Sequence, residues 1–155
     1  MNSKTIEERW GLGADDWKGW EPQDEKRSAF AAPQSAGVYL FRAVEPPAIP
    51  RACGQSDIAY IGSAPRKGLQ GRLIDHASER IEVDVGRRIR RLRDKYQLQV
   101  AWKAFDDPRS EESHLLLLYE LDHYELPPCN RARKDFHRDV LLYAGFAARN
   151  CALAT

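Results

Sequence analysis

Long apolar runs are missing: stretches such as Leu115–Tyr119 fall far short of the roughly 18 residues that a membrane span needs. Cysteine is scarce. Cys53, Cys129 and Cys151 are too few, and odd in number, for a disulfide framework. Near the start stand Glu7 and Glu8, with no apolar stretch of the kind a secretory signal carries. A reducing, cytoplasmic setting is therefore the expectation. Net charge is also nearly absent: 24 Lys and Arg against 23 Asp and Glu leave +1, so the sum alone gives no reason to invoke nucleic acid. What is present suits one soluble domain. Of 155 residues, 43% are hydrophobic and 30% charged, which argues against disorder. A chain of this length buries about two thirds of its unfolded surface without staples.

The charges are sorted into blocks. Residues 63–95 hold ten Lys and Arg against five acids, net +5. Residues 105–128 hold one Arg against seven acids, net −6, and residues 131–155 hold five cations against two acids, net +3. Blocks that cancel in the sum still polarise a surface. The densest run is Gly86–Lys95, with six cations and one acid. Arg87, Arg88 and Arg91 there, with Arg66 and Lys67 upstream, are candidates for tracking a phosphate backbone. The alternative is a solvated helix face whose Arg stems cover an apolar stripe.

Residues 1–35 read as an irregular arm that docks aromatics (Trp10, Trp17, Trp20 and Phe30), with one short helix at most; residues 36–155 form the domain proper. Gly37–Ala43, rich in β-branched and aromatic residues, is the first clear strand. Asp57–Gly62 is the second, antiparallel to it across a Pro- and Gly-rich connection long enough to be mobile or to touch a partner. Leu69–Ile81 and Val83–Tyr96 carry apolar residues at helical spacing, and Gln97–Phe105 reads as a third strand. A helix over Glu111–Glu125, started at Ser110 and stopped by Pro127–Pro128, and a last helix over Asp139–Asn150 complete an α+β order.

Two tyrosine triplets mark the first two strands, Gly37-Val38-Tyr39 and Tyr60-Ile61-Gly62. Beyond them come Ser63-Ala64, then Arg72 and His76 four apart on one helix face, then Glu120 and Pro127-Pro128-Cys129-Asn130. In this order the motifs resemble the GIY-YIG nuclease superfamily, over about Ala36–Arg131. The resemblance implies a small, three-stranded, mostly antiparallel sheet flanked by helices, and a DNA endonuclease that uses Mg²⁺ or Mn²⁺. It also implies a site of Tyr39, Tyr60, Arg72, His76, Glu120 and Asn130, with Glu120 as the metal carboxylate. Glu112, two turns earlier, is the second carboxylate that could fill that place. Ser63 stands where some members carry a lysine.

The residue types suit phosphodiester hydrolysis. A tyrosine relays a proton from water once a cation lowers its phenol pKa from about 10. Arg72 presents a planar donor fork to phosphate oxygens. His76 accepts a proton, and one carboxylate holds Mg²⁺ when water and substrate complete its shell. Each residue also has a plain structural role open to it: sheet tyrosine, paired surface arginine, satisfied histidine, exposed helix acid, segment-ending asparagine. The rival reading is thus a catalytically silent module of the same fold that binds nucleic acid or a protein partner. No sequence-reading motif such as a zinc finger is present, so specificity is expected from loops, from the arm or from a partner.

Overall fold

The computed structural model describes residues 17–22, 26–46, 48–78 and 83–131. In chain order these form β1 (Lys18–Pro22), α1 (Lys26–Ala31), β2 (Gly37–Ala43), β3 (Ile49–Pro50), β4 (Gln55–Ser56), β5 (Ile58–Ala64), α2 (Gly68–Ala77), α3 (Val83–Tyr96), β6 (Leu98–Ala104) and α4 (Pro108–His123). The class is α+β, as the sequence implies, but the main sheet has four strands rather than three. Its order is β1-β6-β2-β5, every pairing antiparallel; β3 and β4 make a separate two-stranded ribbon.

The extra strand comes from the segment expected to be an irregular arm. Lys18–Pro22 pairs with β6 through a register shift between Gly19 and Glu21. Gly and Pro disguise it as a loop, and a partner strand overrides that local preference. Trp17 is buried, as docking of the arm requires, whereas Phe30 stands 61% exposed. Trp10 and the helix expected over residues 139–150 lie outside the described residues.

The sheet is covered on both faces, because β2 and β5 alternate large apolar side chains to either side. Tyr39, Phe41, Tyr60, Val100 and Trp102 face a layer that includes Leu73 of α2 and Val85 and Ile89 of α3. Val38, Leu40, Ile61 and Ala101 face Leu115, Leu116 and Tyr119 of α4. Helix α4 starts three residues earlier than its apolar pattern suggests. Asp107 is the N-cap, its side chain accepting from the Ser110 amide at 3.2 Å, with Pro108 in the first turn. It ends at His123, before the prolines, because Tyr124 takes the left-handed conformation (φ 60°) and donates its amide to the Glu120 carbonyl at 2.8 Å.

The long connection between the tyrosine strands is tied to this domain. Arg51 bonds Glu125 at 2.9 Å and the Leu126 carbonyl at 2.8 Å, the Ala52 amide donates to Glu125 at 2.6 Å, and His123 Nδ1 lies 2.8 Å from the Cys53 carbonyl. Strand β5 forms one border of the sheet, and an edge strand presents a row of unpaired amides and carbonyls. Here the chain covers it. The Cys129 amide donates to the Ala59 carbonyl at 3.0 Å. The Asn130 side chain imitates a neighbouring strand, its Oδ1 accepting from the Ile61 amide (3.0 Å) and its Nδ2 donating to the Ile61 carbonyl (2.8 Å).

Asn130→Ala removes both partners of Ile61. It is expected to lower unfolding stability by about 1–3 kcal/mol in urea denaturation, the cost of orphaning buried backbone groups. An unchanged midpoint would show that the amide braces nothing.

Candidate functional site

Tyr39 occupies the centre of β2, opposite Gly62 on β5 and Trp102 on β6, and is wholly buried. Its phenol reaches across the sheet border because Gly62 has no side chain. A Cβ there would stand 2.5 Å from the Tyr39 Cζ and hydroxyl and 2.7 Å from the Tyr60 ring. The glycine of the second triplet is thus the space into which the tyrosine of the first extends.

Helix α2 brings the other partners. It has no side-chain cap. Instead, the Leu69 and Gln70 amides donate to the Ser35 and Pro33 carbonyls, both at 2.9 Å. Gly68 (φ +70°) allows this, since a Cβ would collide with the Gln34 carbonyl oxygen. So anchored, the helix turns Leu69 and Leu73 into the core and sets Arg72 and His76, one turn apart, over the phenols.

The Tyr39 hydroxyl is hydrogen-bonded on every side available to it. Arg72 Nε donates to it at 3.3 Å, and the Tyr60 hydroxyl bonds to it as well. His76 Nε2 lies 2.8 Å away. A phenol oxygen accepts two bonds and donates one, so with both acceptor sites filled its own proton points to His76, in the Nδ1–H tautomer. The His76 ring packs edge to face against Tyr39, Phe41 and Tyr60, its centroid 4.9 Å from that of Phe41 and 5.3 Å from that of Tyr39.

Burial dominates the electrostatics. It raises the Tyr39 pKa against the opposing pull of Arg72. It raises that of Tyr60 much further, aided by Tyr39 and Glu112. It also lowers His76 to about 3, with the Arg72 charge adding to the effect. At neutral pH the cluster therefore holds two neutral phenols and a neutral imidazole beside one guanidinium.

The carboxylate whose charge acts on both phenols is Glu112. It projects from the second turn of α4, is 1% exposed, and accepts a very short hydrogen bond from Ser63 Oγ, next in the chain to Gly62. Glu120 is buried too, but eight residues further along the same helix, about 12 Å down its axis at 1.5 Å per residue. The fold thus brings Tyr39, Tyr60, Arg72 and His76 together on the α2 face of the sheet, while Glu112, whose charge reaches both phenols, lies on the α4 face across the β5 edge and Glu120 lies further along the same helix. Asn130 spends its amide on the backbone of Ile61, between Tyr60 and Gly62. Sequence spacing offers both acids on one helical face. What separates them is depth along α4, which depends on how the helix docks against β5.

Among the described residues no three His, Cys, Asp or Glu side chains gather into a cage. One carboxylate beside neutral hydroxyls is a hard oxygen set. It fits Mg²⁺ or Mn²⁺, which take one or two carboxylates and complete their shells with water and substrate phosphate. Of the expected phosphate contacts, Arg66, Arg87, Arg88 and Arg91 are exposed. Lys67 is engaged, its Nζ 2.7 Å from Asp75. Arg88 acts electrostatically on the Cys129 thiol, and Arg131 bonds Asp84 at 2.9 Å. The start of α3, with Arg88, therefore lies near the segment 129–131 that covers the β5 edge, the strand that carries Tyr60. Among the described residues no helix is long and apolar enough to cross a membrane.

The buried imidazole has a signature in stability. Unfolded, His76 takes a proton below about pH 6.5, whereas folded it stays neutral down to about pH 3. The unfolded state therefore binds more protons between those values, and stability falls with acid across that window at up to about 1.4 kcal/mol per pH unit. His76→Gln keeps a hydrogen-bonding group and should lose this component in denaturation curves from pH 6.5 to 4. Parallel curves for the two proteins would contradict it. Comparison with known proteins adds no relative: no family model, no curated protein and no solved structure matches the chain.

Proposed function

We propose that the chain is a GIY-YIG-like endonuclease that hydrolyses phosphodiester bonds in DNA with Mg²⁺ or Mn²⁺. The observation that carries this reading is the Tyr39 hydroxyl, held between Arg72 Nε and His76 Nε2 in a buried cluster under the charge of Glu112. A sheet tyrosine in a purely structural role does not need a guanidinium, a phenol and an imidazole around one oxygen.

Glu112 would hold the metal, which when bound supplies positive charge to the phosphate and its leaving oxygen. Arg72 donates to a non-bridging phosphate oxygen with the N–H groups that Tyr39 leaves over. Both phenols relay the proton: Tyr60, the more exposed of the two, takes a proton from the attacking water as its own O–H passes to the Tyr39 oxygen and the Tyr39 O–H passes to His76 Nε2, which releases it to solvent after turnover. The resulting hydroxide bonds to phosphorus, the bond to the leaving oxygen breaks, and that oxygen takes a proton from solvent. Added charge of both signs is required, because the phenol pKa starts above its ordinary value and the imidazole below its own: a cation eases loss of the phenol proton, and the substrate phosphate eases protonation of His76. The exposed arginines of α3 track the DNA backbone on the way to the site.

In Mg²⁺-dependent nicking of supercoiled plasmid, Tyr39→Phe, Arg72→Ala and Glu112→Gln are each expected to lower the rate by about 10²-fold or more. Glu120→Gln is expected to stay within about threefold of the wild type. Replacing Arg87, Arg88 and Arg91 together by alanine should flatten the dependence of log affinity on log salt by about 2–3. DNA binding with no cutting under any divalent ion would assign the chain to the silent-module reading instead.

A further inference from the structure

Resting on the nuclease reading, we infer that Ser63 is a positioning residue that fixes the metal-binding carboxylate. Ser63 follows the Tyr60-Ile61-Gly62 triplet directly and pairs with Val38 across β2 and β5. Val38 faces the α4 layer, and Ser63, its cross-strand partner, faces the same way. There its hydroxyl donates to Glu112 Oε2, the shortest side-chain contact in this part of the molecule. Glu112 is 1% exposed, and a buried carboxylate is tolerated only where hydrogen bonds replace its lost hydration.

The geometry has a consequence for the metal. A flexible glutamate has three torsions to fix before it can bind a cation, and the Ser63 bond fixes the carboxylate plane in advance. It also ties α4 to the strand that carries Tyr60 and Gly62. The phenols on one side of the β5 edge and the acid on the other are thereby held at a constant separation. A hydroxyl suits this place better than a longer cation. Lysine at position 63 would neutralise the acid, whereas serine orients it and leaves its charge in place. Groups that orient a metal ligand through its outer oxygen typically change metal affinity 10- to 100-fold when removed.

The test is Mn²⁺ titration of the full chain by calorimetry, without DNA, alongside the Mg²⁺ dependence of plasmid nicking. Ser63→Ala should weaken Mn²⁺ binding by about tenfold or more and raise the Mg²⁺ needed for half-maximal nicking to match. Its rate at saturating metal should stay within a few-fold of wild type. Ser63→Thr, which keeps the hydroxyl, should restore both. Urea denaturation of the variants identifies any that fail to fold, and Ser63→Thr is then the variant that decides. Wild-type metal affinity in a folded Ser63→Ala would overturn the positioning role while leaving the nuclease reading intact. A wild-type chain that neither binds Mn²⁺ nor cuts would overturn that reading itself.

Discussion

A tyrosine buried to the last atom must have its hydroxyl bonded, and everything at this site follows from how Tyr39 meets that demand. The partners could have been backbone carbonyls, as they are for most buried polar groups. They are instead a guanidinium, a second phenol and an imidazole, drawn from a neighbouring strand and from a helix that follows it. Each partner is placed by a separate local device. Gly62 vacates the space the phenol enters, Gly68 lets α2 start against the Gln34 carbonyl, and the spacing of Arg72 and His76 puts both on one helical face. Loss of any one leaves a buried hydroxyl short of a partner.

The same burial that demands the hydrogen bonds suppresses ionisation. Phenol and imidazole are both kept neutral, one pushed up and the other down, so the resting cluster holds Arg72 as its cation with Glu112 nearby as its anion. Such a site is poised to respond to added charge. A phosphate beside Arg72 makes protonation of His76 easier, and a dication beside Glu112 makes deprotonation of a phenol easier. In the nuclease proposed above, substrate and metal together would arm the acid-base groups. The exposed arginines of α3 extend that logic to the surface, where a near-neutral chain concentrates positive charge on one helix.

Much of this was legible in the sequence. The alternation of β-branched and aromatic residues marks β2 to the residue, and the helical stripes locate α2 and α3. The motif order places both tyrosines, Arg72 and His76. Three features were not legible, for physical reasons. Strand β1 carries Gly19 and Pro22, residues that local preference assigns to a loop; only the partner strand β6 makes it a strand. The connection over residues 45–56 has no periodicity, and its order comes from Arg51, Ala52 and Cys53 meeting the end of α4, a contact between distant residues. The choice between Glu112 and Glu120 depends on where along its axis α4 crosses β5. Both acids satisfy the helical pattern, and what marks Glu112 is its bond from Ser63 and its charge on both phenols. Asn130 is a related case, since a side chain that imitates a strand leaves no trace in composition.

The central claim is that a divalent cation, Glu112 and the Tyr39 cluster share one site. Anomalous diffraction from crystals soaked in Mn²⁺ tests it most directly. The account predicts a manganese peak within coordinating distance of the Glu112 carboxylate, at the β5 edge between that acid and the Tyr60 and Arg72 side chains. A peak at Glu120, or a peak on a surface these side chains do not share, would contradict it.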